Sequence, residues 1–239
     1  MVQNKTPQQR RIKVWDAPIR LFHWALVILV TFNFIAIKLG GPAKVLQKLG
    51  YKGFITDTDL HMLSGQTLLT LMVFRFGYGL IGSTTARFSN FLTSPLKVWM
   101  YLRSGGLGRW AGHNPAGGWM AALMLVVLGA MAGLGLFAND DIMADGPLMH
   151  LVGKTTSDSL TWYHRLLSRV LLGLVVLHVA AIIYYRRVKK DNLIPPMLHG
   201  YKDWPENEPV PSISFTHPLL ALGLLGASAA LVIGVVRTF

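Results

Sequence analysis

The 239-residue chain contains no cysteine and has few charged side chains. Without cysteine there is no disulfide, thiolate zinc site, iron–sulfur cluster, CxxCH attachment of c-type haem or cysteine nucleophile. Charged residues make up 14% of the sequence, against about 25% in soluble domains, whereas 52% of the residues are apolar. Disordered chains combine few apolar residues with a high net charge, so this composition excludes disorder and indicates a protein of the lipid bilayer.

Five apolar segments are long enough to cross about 30 Å of hydrocarbon. They cover residues 17–37, 60–81, 118–138, 160–185 and 217–236. The first apolar run is too long for the h-region of a signal peptide, and no A-x-A-like cleavage site closes it. The sequence therefore predicts an all-α membrane protein in which the first apolar run is a transmembrane helix.

The formal net charge of +12 is concentrated in alternate connections. Basic residues precede the first segment, separate the second from the third, and follow the fourth. They are Lys5, Arg10, Arg11, Lys13, Arg20, Arg87, Lys97, Arg103, Arg109, Arg186, Arg187, Lys189, Lys190 and Lys202. The first loop also holds three lysines, but the third holds Lys154 beside four aspartates. The positive-inside rule predicts a cytoplasmic N-terminus and a periplasmic C-terminus. Because the charges flank the spans and form no single stripe, no nucleic-acid partner is expected.

Two connections are predicted to lie on the cytoplasmic side. Ser94 followed by Pro95 is typical of a helix start, and the apolar residues among 96–102 favour a short helix on the inner membrane interface. Residues 192–211 contain prolines and acidic residues and are expected to form a solvated segment.

Four histidines lie within apolar segments, where an ionisable side chain is costly and indicates function by default. The topology places His23 and His178 toward the inner face and His61 and His164 toward the outer face. Fourteen residues separate His164 from His178, which is roughly 21 Å along a helix and within roughly 40° of a whole number of turns. One helix thus offers a ligand at each level, on nearly the same side.

Two bis-histidine haems, one above the other across the bilayer, suit this arrangement, because each iron takes two axial imidazoles from facing helices. The expected pairs are His23 with His178 and His61 with His164. A metal transporter is less well matched, since such a site needs three or four converging ligands and carboxylates. Histidines that only pack across helix interfaces are the remaining alternative.

Other residues could support the haems. Gly65 lies four residues after His61, where the missing side chain would let a flat macrocycle approach. Arg75 lies on the same face at the depth of the inner pair, where it could neutralise a propionate or contact a quinone. Further candidates for propionate neutralisation are Arg20, Arg165 and Arg169. Snorkelling to lipid headgroups is the alternative for these arginines.

Four stretches carry a family resemblance. They are residues 14–24 (VWDAPIRLFHW), residues 60–65 (LHMLSG) with Phe74 and Arg75, Trp162-Tyr163-His164 with Leu177-His178, and residues 192–197 with Gly200 and Lys202. In these stretches, within residues 12–202, the chain resembles the bacterial cytochrome b561 and nickel–iron hydrogenase cytochrome b subunit family. The resemblance implies a four-helix transmembrane bundle in the bacterial inner membrane that holds two haem b, with the ligands on His23, His61, His164 and His178.

The resemblance also implies a domain organisation and a function. Residues 1–202 would form the di-haem domain. Residues 203–239 depart from the four-helix family core, because they are expected to form a cytoplasmic linker and an extra, fifth C-terminal transmembrane helix. The chain would transfer electrons between quinone or quinol and a redox partner in a respiratory chain, namely a c-type cytochrome, a hydrogenase or another periplasmic oxidoreductase. A stand-alone quinone reductase, such as a superoxide:quinone oxidoreductase, and a transporter or structural anchor are the alternatives.

Overall fold

The computed structural model describes residues 9–142 and 144–238, so the basic residue Lys5 lies outside the described residues. The described chain is mainly helical. Its elements are β1 (Gln9–Lys13), α1 (Ala17–Lys38), α2 (Pro42–Lys48), α3 (Asp57–Ile81), α4 (Phe88–Phe91), α5 (Pro95–Arg103), α6 (Pro115–Gly135), α7 (Lys154–Tyr184), α8 (Ile194–His199), β2 (Tyr201–Pro205) and α9 (Pro218–Thr238). A wider helical turn, Tyr185–Lys189, continues α7.

Within the described ranges, four helices are long and apolar enough to cross a membrane: α1, α6, α7 with its continuation, and α9. The expectation of several apolar spanning helices is therefore confirmed. α3 has 25 residues but is less apolar, because it contains two aspartates, a histidine and an arginine. Five spans are thus not established, and the crossing of the membrane by α3 stays a prediction.

Side-chain caps explain where several helices begin. Ser94 Oγ accepts a hydrogen bond from Lys97 N at 3.4 Å, and Pro95 follows it, which confirms the predicted start of α5. At the start of α3, Asp59 N donates to Thr56 Oγ1 at 3.1 Å, and Thr56 N donates to Asp59 Oδ2 at 2.8 Å. This reciprocal pair is a capping box.

The segment 192–211, which was expected to be solvated, also contains regular structure that the sequence did not predict, namely α8 and β2. β2 pairs antiparallel with β1, with Ile12 opposite Lys202. Lys202 is 9% exposed, and its ammonium forms an ion pair with Asp191 at 2.8 Å. Trp204 in the same strand is buried. Strands of five residues that pair from opposite ends of the chain leave almost no local signal, which explains why the sequence predicted no sheet.

The chain divides into two compact units, and each long helix contributes residues to both. The first unit comprises Met1–Leu21, Tyr78–Ala122 and Val176–Ala221. The second comprises Phe22–Gly77, Leu123–Val175 and Leu222–Phe239. The predicted domain boundary at residue 202 stays a prediction.

A buried polar network organises the first unit around the N-terminus of α1. Asp16 Oδ1 caps this helix by accepting from Ile19 N at 3.1 Å. Asp16 Oδ2 accepts from Tyr78 Oη at 2.5 Å and also from the hydroxyl of Ser83. Thr216 N donates to Ser83 Oγ at 2.9 Å, which ties the segment before α9 to the same network. The second unit contains His23, His61, His164 and Arg75.

Candidate functional site

His61 and His164 lie together in the second unit. His61 is in the second turn of α3, because the capping box fixes the start of that helix, and His164 is in α7. Their ring centroids are 6.0 Å apart and their planes are inclined at 88°. A metal ion between two imidazoles needs about 6.2 Å between centroids, from metal–nitrogen bonds of about 2.0 Å and roughly 1.1 Å from nitrogen to ring centre. The 6.0 Å spacing would therefore allow His61 and His164 to hold one metal ion between them.

A hydrogen bond sets the tautomer of His164. Its Nδ1 lies 2.8 Å from the carbonyl oxygen of Met131 in α6. A carbonyl oxygen only accepts, so Nδ1 carries the proton and Nε2 presents its lone pair. Metal-ligating histidines are commonly held in this way, by donating their second ring nitrogen to a carbonyl or a carboxylate.

His61 has a buried ring nitrogen without a protein partner. Within the described residues, no hydrogen bond reaches its Nδ1. Buried polar atoms are almost always hydrogen-bonded, and an exception in a native structure calls for an explanation such as an absent ligand. This atom therefore fits a pocket that holds a further group.

A cavity of about 60 Å³ lies beside the two histidines. Its lining includes Asn33, Gly65, Gln66, Met131 and Gly135. A Cβ added to Gly65 would meet nothing within 4 Å, so space is open where the sequence predicts a flat ring to approach. A Cβ on Gly135 would lie 3.2 Å from Cε1 of His164. Gly135 thus allows His164 to lie against α6.

Two buried side chains brace the backbone at His61. The Ser64 hydroxyl lies 2.8 Å from Asn33 Oδ1 and 3.0 Å from the carbonyl oxygen of His61, and its single proton is shared between them. Asn33 Nδ2 donates to the carbonyl oxygen of Leu29 at 2.8 Å. Ser64 and Asn33 are 6% and 9% exposed. They connect α1 to α3 one turn from the candidate ligand.

The other two histidines belong to different units. His23 lies in the second unit and is half-buried, with its ring 5.1 Å from that of Trp24. His178 lies in the first unit, in α7, and is also half-buried. The predicted pairing of these two residues stays a prediction.

Comparison with known proteins places the chain in a family. The family described as prokaryotic cytochrome b561 matches residues 14–200. The matched range includes the four candidate ligands, which are His23, His61, His164 and His178. The chain belongs to the prokaryotic cytochrome b561 family. Membership makes it a multi-pass membrane protein and a b-type cytochrome, and implies haem b as its cofactor. The histidine spacing and the His164 tautomer fit that group, and the space beside Gly65 is open to it.

Two curated relatives of this cytochrome carry the name "Probable Ni/Fe-hydrogenase B-type cytochrome subunit". The protein from Azotobacter vinelandii is 28% identical over 236 residues, which cover 87% of this chain and 95% of the relative. The protein from Azotobacter chroococcum mcd 1 is 28% identical over 235 residues, with the same shares covered. No solved structure shows significant similarity to the chain.

The candidate arginines of the cytochrome differ in their surroundings. Arg75 is only 5% exposed, which favours an internal role over snorkelling. The guanidinium of Arg20 donates to the carbonyl oxygen of Leu198, so it contacts the α8 region of the first unit. Arg165 and Arg169 are exposed on α7, and both of their predicted roles stay open.

Sequence reasoning missed four residues of the site: Asn33, Ser64, Met131 and Gly135. Met131 acts through its carbonyl oxygen, which no side-chain pattern reveals. Asn33 and Ser64 did carry a signal, because both are polar residues within predicted spans. Gly135 lies against His164, and a glycine in an apolar segment does not by itself indicate such a contact.

Proposed function

We propose that the chain is a di-haem membrane cytochrome b that transfers electrons between the quinone pool and a hydrogenase. The observation that supports the proposal most is the His61–His164 pair. Their ring centroids are 6.0 Å apart, and Nδ1 of His164 donates a hydrogen bond to the carbonyl oxygen of Met131. Haem b supplies one-electron transfer when bound. The chain supplies axial ligands, charge neutralisation and a dry environment.

The outer haem is assigned to His61 and His164. The Met131 carbonyl orients the His164 ring and raises its basicity as a ligand. The Ser64–Asn33 pair holds the α3 backbone beside His61. Gly65 and Gly135 leave room for the macrocycle and for the His164 ring.

The inner haem is assigned to His23 and His178. The support is the sequence register: His23 lies near the start of α1, and His178 follows His164 by fourteen residues on nearly the same side of α7. Arg75 lies at the predicted inner depth, and its burial favours contact with a propionate or a quinone headgroup. Arg20 and Arg165 are assigned to the inner and outer propionates.

The assignment of a hydrogenase as partner is supported by the names of the two Azotobacter relatives. Hydrogenase-derived electrons would enter at the periplasmic face of the inner membrane, with the N-terminus in the cytoplasm. α3 would complete a four-helix bundle, and α9 would be the extra C-terminal span. A c-type cytochrome could take the same place as the hydrogenase.

The test is reconstitution of the purified chain in vesicles with a membrane-bound [NiFe] hydrogenase and menaquinone. Hydrogen should reduce the haems only when hydrogenase is present, and His164→Ala should abolish hydrogen-dependent quinone reduction. The exposed His150→Ala is the matched control and should retain it. Haem reduction by quinol but never by hydrogenase would overturn the partner assignment, and absence of haem would overturn the whole proposal.

A further inference from the structure

α5 has one face held against the protein. Tyr101 is 6% exposed, and its hydroxyl hydrogen-bonds to that of Tyr185 at the end of α7. Lys189 Nζ donates to the carbonyl oxygen of Gly105, just after α5. Asn114 Nδ2 donates to Tyr185 Oη at 2.9 Å. α5 is thus fixed to the end of a membrane-spanning helix.

The opposite face of α5 is apolar and exposed. Leu96, Trp99 and Met100 are 63%, 55% and 50% exposed. At about 100° per residue, Leu96 and Trp99 lie roughly 140° and 160° from Tyr101, with Arg103 between them, and Met100 lies about 100° from Tyr101 on the same side as Leu96. The guanidinium of Arg103 is 4.9 Å from the centre of the Trp99 ring. This stacking fixes the orientation of the guanidinium and leaves the N–H donors at its edge available to a phosphate.

The charged residues on α5 and at the end of α7 are all basic. The sequence has no aspartate or glutamate between residues 60 and 139. Lys97 and Arg103 are exposed on α5, as are Arg186 and Arg187 at the end of α7. Two carboxylates from later in the chain each form an ion pair, Asp191 with Lys202 and Glu208 with Arg109. An anionic surface is therefore the complementary partner.

We propose that this face of α5, formed by Leu96, Trp99, Met100 and Arg103, binds an anionic phospholipid at the membrane interface. Arg103 holds the phosphate, and the apolar side chains lie against the glycerol and upper acyl region. An interfacial helix buries its apolar face at the boundary between headgroups and acyl chains, and a basic residue there attracts anionic lipid. The inference is independent of haem ligation.

Trp99 provides the probe for a direct test. The full chain is reconstituted in phosphatidylcholine vesicles that contain the same mole fraction of either brominated phosphatidylglycerol or brominated phosphatidylcholine. The Trp99 signal is the fluorescence that Trp99→Phe removes. Brominated phosphatidylglycerol should quench this signal more strongly than brominated phosphatidylcholine, since one surface arginine enriches anionic lipid roughly five-fold.

Arg103→Gln should abolish the preference, whereas Arg103→Lys should keep part of it, because the charge remains and the planar fork is lost. Lys48→Gln, in the exposed helix α2, is the matched control and should leave the preference unchanged. Equal quenching by the two brominated lipids in the wild-type chain would overturn the proposal. A preference that survives Arg103→Gln would assign lipid binding to other residues and would overturn it as well.

Discussion

His164 donates its Nδ1 proton to the carbonyl oxygen of Met131 at 2.8 Å, so a main-chain atom of α6 orients a side chain of α7. Nε2 is then the only atom of the ring that can bind a metal. The centroid of the His164 ring lies 6.0 Å from the centroid of the His61 ring. The geometry depends on Gly135, one turn after Met131, which leaves space for the His164 ring.

Gly135→Ala should therefore disturb the outer haem. The new Cβ would lie 3.2 Å from Cε1 of His164, and the ring has to move relative to Met131. We expect a shifted redox potential and an altered EPR signal for one haem. Gly133→Ala is the control, since its Cβ would meet nothing within 4 Å. Equal potentials in the two variants would mean that Gly135 does not position His164.

Ser64→Ala should weaken the brace beside His61. Loss of this buried hydrogen bond should lower the free energy of unfolding by about 1 kcal/mol and shift the potential of the outer haem. Asn33 is the hydrogen-bond partner of Ser64. The double variant Ser64→Ala/Asn33→Leu should therefore lose less unfolding free energy than the sum of the losses in the two single variants. Thr67→Ala removes a hydroxyl that bonds only one turn back in α3 and serves as the control. Full additivity would contradict the proposed brace.

Much of this architecture follows from local sequence. Apolar runs predicted the spanning helices, and Ser94 with Pro95 predicted the start of α5. The four histidines were found because ionisable side chains in apolar segments are conspicuous. The contact of Met131 with His164 was not predictable, since every residue has a carbonyl oxygen. The β1–β2 sheet also escaped prediction, because residues such as Ile12 and Lys202 pair over a long sequence separation.

Replacement of Asp57 should destabilise α2 in a pH-dependent way. Asp57 precedes the predicted span 60–81, and hydrogen bonds from Ala43 N and Gly41 N, each at 2.8 Å, lower its pKa from the ordinary 3.8. A lowered carboxyl pKa contributes stability above the ordinary value, and this stability is lost as the pH falls through the folded-state pKa. Asp57→Asn should therefore lower the melting temperature at pH 7 and make little difference once the pH is below the folded-state pKa of Asp57, which lies below 3.8.

The control for this prediction is Asp145→Asn, at another exposed loop aspartate. It should leave the melting temperature nearly unchanged at pH 7. A destabilisation by Asp57→Asn of the same size at both ends of the pH range would show that ionisation of Asp57 has no role.

Arg75→Gln should shift the potential of the inner haem downward or slow quinol oxidation while both haems remain bound. Loss of a buried positive charge removes stabilisation of the reduced site or of an anionic headgroup. Arg169→Gln, at an exposed arginine of α7, should change neither property. Unchanged haem potentials and unchanged quinol oxidation kinetics in Arg75→Gln would show that Arg75 has only a packing role.

The pairing of the ligands is testable by single substitutions. His61→Ala and His164→Ala should remove the same haem, and His23→Ala and His178→Ala should remove the other. Redox titration of each variant identifies which haem is lost. Loss of the same haem from His61→Ala and His178→Ala would contradict the pairing by depth.

The central claim is most directly tested by a pyridine haemochrome count on the detergent-purified chain, read together with its reduced-minus-oxidised spectrum. Close to two b-type haems per chain are expected. Folded protein without haem would contradict haem binding, and would favour a role of the four histidines in helix packing or in transport.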